Sequence, residues 1–334
     1  MVVSLVWRGQ APWFDLFALA HVAYLGLVVT VPAMAAVALL ARQRTPLPHL
    51  RTRSVGIVLV IGLLPAAVGV YATHLEPQWL RTDRHTIRLS GAGVDAAPAL
   101  RIAVMADVQN TQIDDHELAA LRRVNDAKPD LLLVAGDLWA QGLTRDERPK
   151  FQAYVRSMVA AATTVVIVEG DSDNSRGLLA LAEGTGAVVL VDETLDIEVN
   201  GRQVRIAGLS LRERPAVGAQ RTAIDQLQAA SPDAITILLS HRPDAIYDLT
   251  EPVDLVVAGH THGGQFALPL VGPLFTLSSV PRHVAAGGLH EVDGQAIYVS
   301  TGIGMERSHA PQLRFGARPS IGVIDVIAAS GAGS

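Results

Sequence analysis

Two long uncharged segments stand near the start of the chain. Residues 16–40 form a run of 25 residues without a charged side chain, and residues 55–72 form a run of 18. Because an α-helix rises about 1.5 Å per residue, the first run easily crosses a hydrocarbon core about 30 Å thick, and the second just reaches across it. Each run contains one proline, which membrane-spanning helices tolerate. The pattern therefore predicts two transmembrane helices, at about 16–40 and 55–72.

Aromatic residues flank the two runs, as is typical of membrane interfaces. Trp7, Trp13 and Phe14 precede the first run, while Tyr71 and Trp79 lie at and beyond the end of the second. Two other interpretations stay open: a cleaved signal peptide, and a buried pair of core helices. A signal peptide fits less well because the first run is long and a second run follows it.

The orientation follows from the short loop between the runs. Residues 41–54 carry four arginines and no acidic residue, and the positive-inside rule places such a loop in the cytoplasm. The sequence thus predicts a multi-pass protein of the cell membrane whose remaining residues lie outside the cytoplasm. Arg81, Arg84 and Arg88 follow the second run and weaken this orientation.

From about residue 85 the pattern changes to short runs rich in valine, isoleucine and leucine. Short continuous apolar runs are typical of strands in sheets that are covered on both faces. Helical patterns lie between several of them, at 114–128, 147–161 and 220–230, and the first begins with Asp114 and Glu117 in the spacing of a capping box. The predicted strands are 101–106, 131–135, 165–169, 187–191, 204–209, 235–240, 254–258, 296–300 and 321–327.

This alternation predicts an α/β domain. We expect a membrane anchor over residues 1–85, the α/β domain over 86–327, and a flexible tail over 328–334. Only six charged residues fall in positions 1–75, so the mean hydropathy of +0.31 reflects the anchor, while the domain has an ordinary charge content. A net charge of −5 argues against a nucleic-acid partner. The absence of cysteine excludes disulfides, thiolate metal sites and cysteine nucleophiles.

Carboxylates and imidazoles follow five of the predicted strands. Ligands of open α/β sheets bind beyond the carboxyl ends of strands, so these side chains are expected to meet. A single aspartate at a strand end more often caps a helix, but five such ends in succession favour a metal site with oxygen and nitrogen ligands. Glycines beside the last two histidines allow close backbone approach. The residues are Asp107, Asp137, Asp171, His241, His260 and His262.

Several segments together resemble the calcineurin-like metallophosphoesterases over about residues 86–327. The resemblance is closest to a membrane-anchored bacterial branch similar to UDP-2,3-diacylglucosamine hydrolase-like phosphodiesterases. It implies a β-sandwich flanked by helices, with two metal ions that share one aspartate. The segments are 101–107, 129–138, Leu239 to Asp244, the Gly-His-Thr-His-Gly-Gly-Gln sequence at 259–265, and 300–304 before Arg314 and Phe315.

Carried over position by position, the resemblance assigns the ligands of two divalent ions. Asp137 matches the shared carboxylate and is expected to be essential for catalysis. The first ion is expected at Asp107, Gln109 and His262, and the second at Asp171, His241 and His260. The resemblance implies Mn, Fe, Zn or Mg ions that clamp a phosphate and activate a water molecule.

The chain departs from the family pattern at three positions. Gln109 stands where the family has histidine, and Gly170-Asp171-Ser172-Asp173 replaces Gly-Asn-His-Asp. A neutral amide is a poorer transition-metal ligand than imidazole, so the first site is expected to be weak or empty. Serine cannot replace imidazole as a proton donor, and loss of a general acid typically costs about 10² to 10⁴ in rate.

Other residues could compensate for these losses. Ser172 remains a substrate-binding candidate, and Arg314 is a second because arginine binds phosphate through two hydrogen bonds. Asp173 can serve as a catalytic acid only if its pKa is strongly raised. His283, His309 and Arg282 are weaker candidates that fit surface positions equally well.

The sequence therefore predicts a membrane-anchored, metal-dependent phosphoesterase. Its substrate is a phosphoester or pyrophosphate, and the membrane tether favours a lipid-linked one. The alternative is a catalytically impaired relative that binds metal or a phosphorylated headgroup as a sensor or scaffold. The changes at Gln109 and Ser172 keep this alternative open.

Overall fold

A computed structural model describes residues 16–44, 52–90, 99–140, 142–211, 217–306 and 311–329. The chain divides into two compact units. The N-terminal unit comprises Met1–Pro77 with Glu306–Phe315, and the larger unit comprises Gln78–Met305 with Gly316–Ser334. Of the predicted features, the aromatic residues before residue 16, part of the loop 41–54, His309 and most of the tail lie outside the described residues.

The N-terminal unit is helical. α1 (Leu16–Leu25) continues through a π-helical turn into α2 (Val31–Arg44), and α3 (Thr52–Val70) continues through a second such turn to Leu75. In the part of the chain with described side chains, one helix, His21–Leu40, is long and apolar enough to cross a membrane, and none of it is buried. The second predicted span coincides with α3 but stays a prediction.

The larger unit contains two six-stranded mixed sheets. The first has the order β1-β14-β2-β3-β4-β5 and the second the order β12-β13-β9-β8-β7-β6. A small hairpin, β10 with β11, stands apart from both. The strands are β1 (Arg81–Leu89), β2 (Leu100–Met105), β3 (Leu131–Ala135), β4 (Thr164–Val168), β5 (Val188–Val189), β6 (Glu193–Val199), β7 (Arg202–Gly208), β8 (Ile235–Leu239), β9 (Leu255–Ala258), β10 (Ala267–Leu268), β11 (Gly272–Pro273), β12 (Gly288–Val292), β13 (Gln295–Val299) and β14 (Ser320–Ala328).

The sheets pack face to face, with helices on their outer sides. Ile102 and Leu133 of the first sheet meet Ile206 and Ile237 of the second in one buried cluster. Neighbouring side chains on the first sheet point the other way and pack against the helices, as the period of two in a strand requires. The helices of this unit are α4 (Asp115–Ala127), α5 (Arg148–Ala161), α6 (Ser175–Ala182), α7 (Val217–Gln228) and α8 (Arg282–Ala285).

This architecture confirms the predicted α/β fold, with a β-sandwich between helices. Every predicted strand is present, and the capping box of Asp114 and Glu117 begins α4. One boundary needs correction, because β1 pairs with β14 in parallel along nine residues and the predicted domain start at residue 86 falls inside it. β1 is an edge strand with four charged residues among its nine, so it lacks the continuous apolar run of a central strand.

Candidate metal centre

The predicted ligands converge where strands of both sheets end. Asp107, Asp137 and Asp171 follow β2, β3 and β4 of the first sheet, whereas His241 follows β8 and His260 follows β9 of the second. The first sheet thus supplies the carboxylates and the second sheet the imidazoles. Two overlapping groups place their donor atoms within 4.8 Å of one another. They are Asp107, Asp137 and His241, and Asp171, His241 and His260.

His241 lies at the middle of the cluster and is fully buried. Its Nδ1 is 2.8 Å from the carbonyl oxygen of Ala135, which only accepts, so Nδ1 carries the ring proton. Its Nε2 is buried, has no hydrogen-bond partner among the described residues, and lies 3.6 Å from Asp137 Oδ2 and 3.5 Å from Asp171 Oδ2. A ring nitrogen that faces two carboxylates needs positive charge at that point, which either a proton on Nε2 or a bound metal ion supplies.

The electrostatics of His241 agree with this geometry. Burial alone would lower the pKa of His241, but the charges of Asp137, Asp171 and Asp107 raise its pKa to about 10. The surroundings of Nε2 therefore favour positive charge strongly. Oxygen and nitrogen donors without sulfur suit ions such as Mn, Fe or Zn, so the residues fit the divalent metals that the family uses.

His260 is also held by a backbone carbonyl, but through the opposite ring nitrogen from His241. Its Nε2 donates to the carbonyl oxygen of Leu277 at 3.3 Å, and its Nδ1 lies 2.8 Å from Asp171 Oδ2. A backbone carbonyl that fixes the tautomer of a ligand histidine is a common feature of metal sites. The ring centroids of His241 and His260 are 5.1 Å apart. The ligands predicted for the second ion thus lie together, with Asp171 Oδ2 already in contact with His260 Nδ1.

The ligands predicted for the first ion are less closely grouped. Asp107 is fully buried, and its two carboxylate oxygens accept from the backbone N–H of His260 at 3.0 and 3.2 Å. His262 Nε2 lies 3.9 Å from Asp107 Oδ1. Gln109 is buried two residues along the same loop, where its backbone N–H donates to the carbonyl of Asp137.

The loops that carry the ligands are backbone-strained. Four of the predicted ligands have positive φ angles, in the left-handed region that residues other than glycine rarely adopt. The angles are 49° for Asp107, 55° for Asp137, 71° for His260 and 50° for His262. Such strain concentrates at functional sites. Close backbone approach is equally marked at Gly170, where an added Cβ would lie 2.1 Å from Asp137 Oδ1.

Arg242 is a site residue that the sequence patterns did not single out. Its Nη2 donates to Asp171 Oδ1 at 2.8 Å, so it compensates the negative charge that this chain carries in place of the family's neutral asparagine. Burial alone would raise the pKa of Asp171, but His241 and His260 hold it below its ordinary value. The only signal in the sequence is that Arg242 directly follows a ligand.

Ser172 and Asp173 both hold the loop of Asp137. The backbone N–H of Ser172 donates to Asp137 Oδ1 at 2.7 Å, and its hydroxyl donates to the carbonyl of Trp139 at 2.6 Å. Asp173 accepts from the N–H groups of Gly170 and Leu138 at 2.6 and 2.8 Å. These contacts position the loop, and the predicted substrate role of Ser172 remains a prediction.

Asp173 has the raised pKa that a catalytic acid at this position would need. Burial, followed by the charge of Asp137, raises the pKa of Asp173 to about 7. Each of its two oxygens accepts one hydrogen bond from the backbone. The acid role stays a prediction.

Arg314 and His283, two further candidates, each have contacts within their own surroundings. Arg314 belongs to the N-terminal unit and is fully buried, and its backbone N–H donates to the carbonyl of Ala72. Its predicted phosphate contact is therefore still a prediction. His283, in α8, packs its ring edge-on against His290 at 5.5 Å.

The chain is similar to several known proteins. A family model described as calcineurin-like phosphoesterase matches residues 100–264. An uncharacterized metallophosphoesterase, YkuE of Bacillus subtilis, is 30% identical over 79% of this chain and 92% of its own length. The phosphodiesterase YaeI of Escherichia coli is 29% identical over 77% of this chain and 92% of its own. A 5'-nucleotidase precursor from Thermus thermophilus is a distant structural neighbour, with a TM-score of 0.42, 14% identity, and coverage of 69% of this chain and 54% of that one.

Proposed function

This chain belongs to the calcineurin-like phosphoesterase family and is a metal-dependent phosphoester hydrolase, and from that premise we propose that it is membrane-anchored and acts on a lipid-linked phosphoester or pyrophosphate. The observation that carries the catalytic part is the convergence of carboxylates from one sheet and imidazoles from the other around His241. The relative named a phosphodiesterase favours a diester among the possible substrates.

We propose two divalent ions in this centre. Asp137 would be shared, with Asp107, Gln109 and His262 on one side and Asp171, His241 and His260 on the other. Bound divalent ions supply Lewis-acid stabilisation of phosphoryl oxygens and lower the pKa of a bound water molecule.

The chain's own contribution is to hold these groups in place. The carbonyls of Ala135 and Leu277 fix the rings of His241 and His260, and the N–H of Ser172 fixes the carboxylate of Asp137. Outer contacts of this kind commonly change metal affinity or activity about 10- to 100-fold. Arg242 lies beside Asp171 and would limit the net negative charge that an anionic substrate meets.

The membrane part of the proposal rests on the N-terminal helices. The exposed apolar helix His21–Leu40 supports one span, and α3 would supply the second. The arginines of the loop 41–54 would face the cytoplasm, which leaves the catalytic unit outside it. A tethered active site meets substrates in the plane of the same membrane, so lipid-linked phosphates suit it best.

One observation favours the alternative, a catalytically impaired relative. The hydroxyl of Ser172 is committed to the carbonyl of Trp139, so it does not stand in for the proton donor that the family has at this position. Gln109 also replaces an imidazole of the first site. A sensor or scaffold that keeps one ion would tolerate both changes.

The test uses the full-length chain in detergent micelles. Bound metal is measured by elemental analysis, and hydrolysis of a bis-aryl phosphodiester is followed with added Mn²⁺. We expect two ions per chain and turnover that Asp137→Asn abolishes, while Asp225→Asn, on the surface of α7, changes neither. One ion or none, without turnover of mono- or diesters, would refute the enzyme and support the impaired relative.

A further inference from the structure

An exposed apolar hairpin emerges directly from the metal-binding loop. Residues 266–277, here called the apolar hairpin, contain β10 and β11 and follow Gly259-His260-Thr261-His262-Gly263-Gly264-Gln265 without a break. Leu270 at its turn is fully exposed, and Phe275, Val271 and Leu277 are 61%, 58% and 40% exposed. Four of the eight exposed large apolar side chains described in the larger unit thus fall within eight residues. Such a concentration of exposed apolar side chains is typical of an interaction site.

The hairpin is fixed to the metal centre at its base. The carbonyl of Leu277 orients the ring of His260, as described above. Gly264 lies so close to Pro273 that an added Cβ would be 2.3 Å from the proline ring. The backbone N–H of Leu274 donates to the carbonyl of Phe266 and closes the hairpin. The apolar tip is therefore held beside the catalytic ligands.

The backbone at the tip is one that an aliphatic residue rarely adopts. Leu270 has a φ of 67°, in the region where glycine or asparagine is the low-energy choice. The chain thus accepts both strain and exposure to place a leucine at this point. An outlier of this kind indicates a functional constraint.

The charge pattern along the hairpin fits one kind of partner. Residues 263–281 contain no ionisable side chain, and residues 255–290 contain no acidic one, whereas Arg282, His283 and His290 border the segment. One acidic side chain, Asp244, accepts hydrogen bonds from Ser278 and Ser279 just after the hairpin. An uncharged apolar tip that is bordered along the chain by Arg282, His283 and His290 suits the interface of a bilayer that contains anionic lipids. A protein partner of opposite charge would leave the exposed Leu270 and Val271 at the tip unexplained.

We propose that the apolar hairpin inserts its tip into the lipid interface and thereby holds the metal centre at the level of the phosphate headgroups. This inference rests on the proposed membrane anchoring and names the surface that the active site faces. A phosphate that is part of a lipid then reaches the ligands without leaving the bilayer.

The test exploits the absence of cysteine from the chain. The full-length Leu270→Cys variant carries a single nitrobenzoxadiazole label and is reconstituted into phosphatidylcholine–phosphatidylglycerol vesicles that contain a nitroxide-labelled lipid. Leu179→Cys, 52% exposed on α6, is the matched control, and Val29→Cys in the membrane helix reports the anchoring by itself. Val271→Cys is a second position in the hairpin, in case the first variant fails to fold.

We expect nitroxide lipids to quench the label in the hairpin and to shift its emission to shorter wavelength, with little effect at residue 179. Equal quenching at residues 270, 271 and 179 would overturn the proposal, and quenching at residue 29 in the same samples would show that the anchoring nevertheless holds. Quenching in the hairpin but not at residue 29 would support the hairpin and refute the anchor. A blue shift in detergent that grows with protein concentration would instead identify a second copy as the occupant and overturn the lipid assignment.

Discussion

Gly170→Ala tests whether the position of the Asp137 carboxylate decides activity. A Cβ at residue 170 would lie 2.1 Å from Asp137 Oδ1 and 2.3 Å from its backbone nitrogen, whereas ordinary van der Waals contact begins at 3.4 Å. The carboxylate or its loop must therefore move by about 1.3 Å. A displacement of about 1 Å at a reacting centre costs about 10²-fold in rate. Overpacking typically destabilises a fold by about 1–3 kcal/mol.

We expect Gly170→Ala to lower kcat/KM for a bis-aryl phosphodiester at least about 100-fold, which corresponds to about 2.7 kcal/mol. Bound metal and the thermal midpoint are measured on the same samples, so that unfolding is separated from misplacement. Gly218→Ala is the matched control, because nothing lies within 4 Å of its added Cβ in α7. If Gly170→Ala keeps its metal and its turnover within twofold of the parent chain, the close approach to Asp137 has no catalytic importance.

Three further predictions concern protons, metal and the altered motifs. Burial raises the pKa of Glu117 from 4.5 to about 7. The contribution of Glu117 to stability is therefore complete below pH 4.5 and is lost as the pH rises through 7. Glu117→Gln should flatten the fall in melting temperature over that range, and an unchanged slope would contradict the assignment. Chelation should lower the melting temperature, and re-added Mn²⁺ at about 100 times its Kd should restore about 2.7 kcal/mol, whereas a chelator-insensitive midpoint would argue against bound metal. Gln109→His combined with Ser172→His should raise turnover by about 10² or more if those two changes limit the rate, and no gain would show that they do not.

The sequence was sufficient to predict which side chains meet at the site, but not the contacts that hold them there. Asp107 and Asp137 could be placed together because they follow neighbouring parallel strands, whose carboxyl ends meet at one edge of a sheet. His241 follows a strand of the other sheet, so only the packing of the two sheets brings it to the aspartates. Arg242 could not be assigned, because its partner Asp171 is 71 residues away and only the folded chain shows their 2.8 Å contact. β1 escaped detection because an edge strand carries charge along its exposed side.

The division of ligands between the two sheets has a mechanical consequence. The first sheet carries the predicted carboxylate ligands and the second sheet the predicted imidazole ligands. An ion that binds both kinds of ligand would therefore link the two sheets at the edge where they meet. A slide of one sheet past the other by a fraction of an ångström would alter the distances from His241 to Asp107, Asp137 and Asp171 at once. Ile237→Val changes the packing between the sheets without replacing a ligand. We therefore expect such a substitution to change metal affinity under conditions in which the chain is still folded.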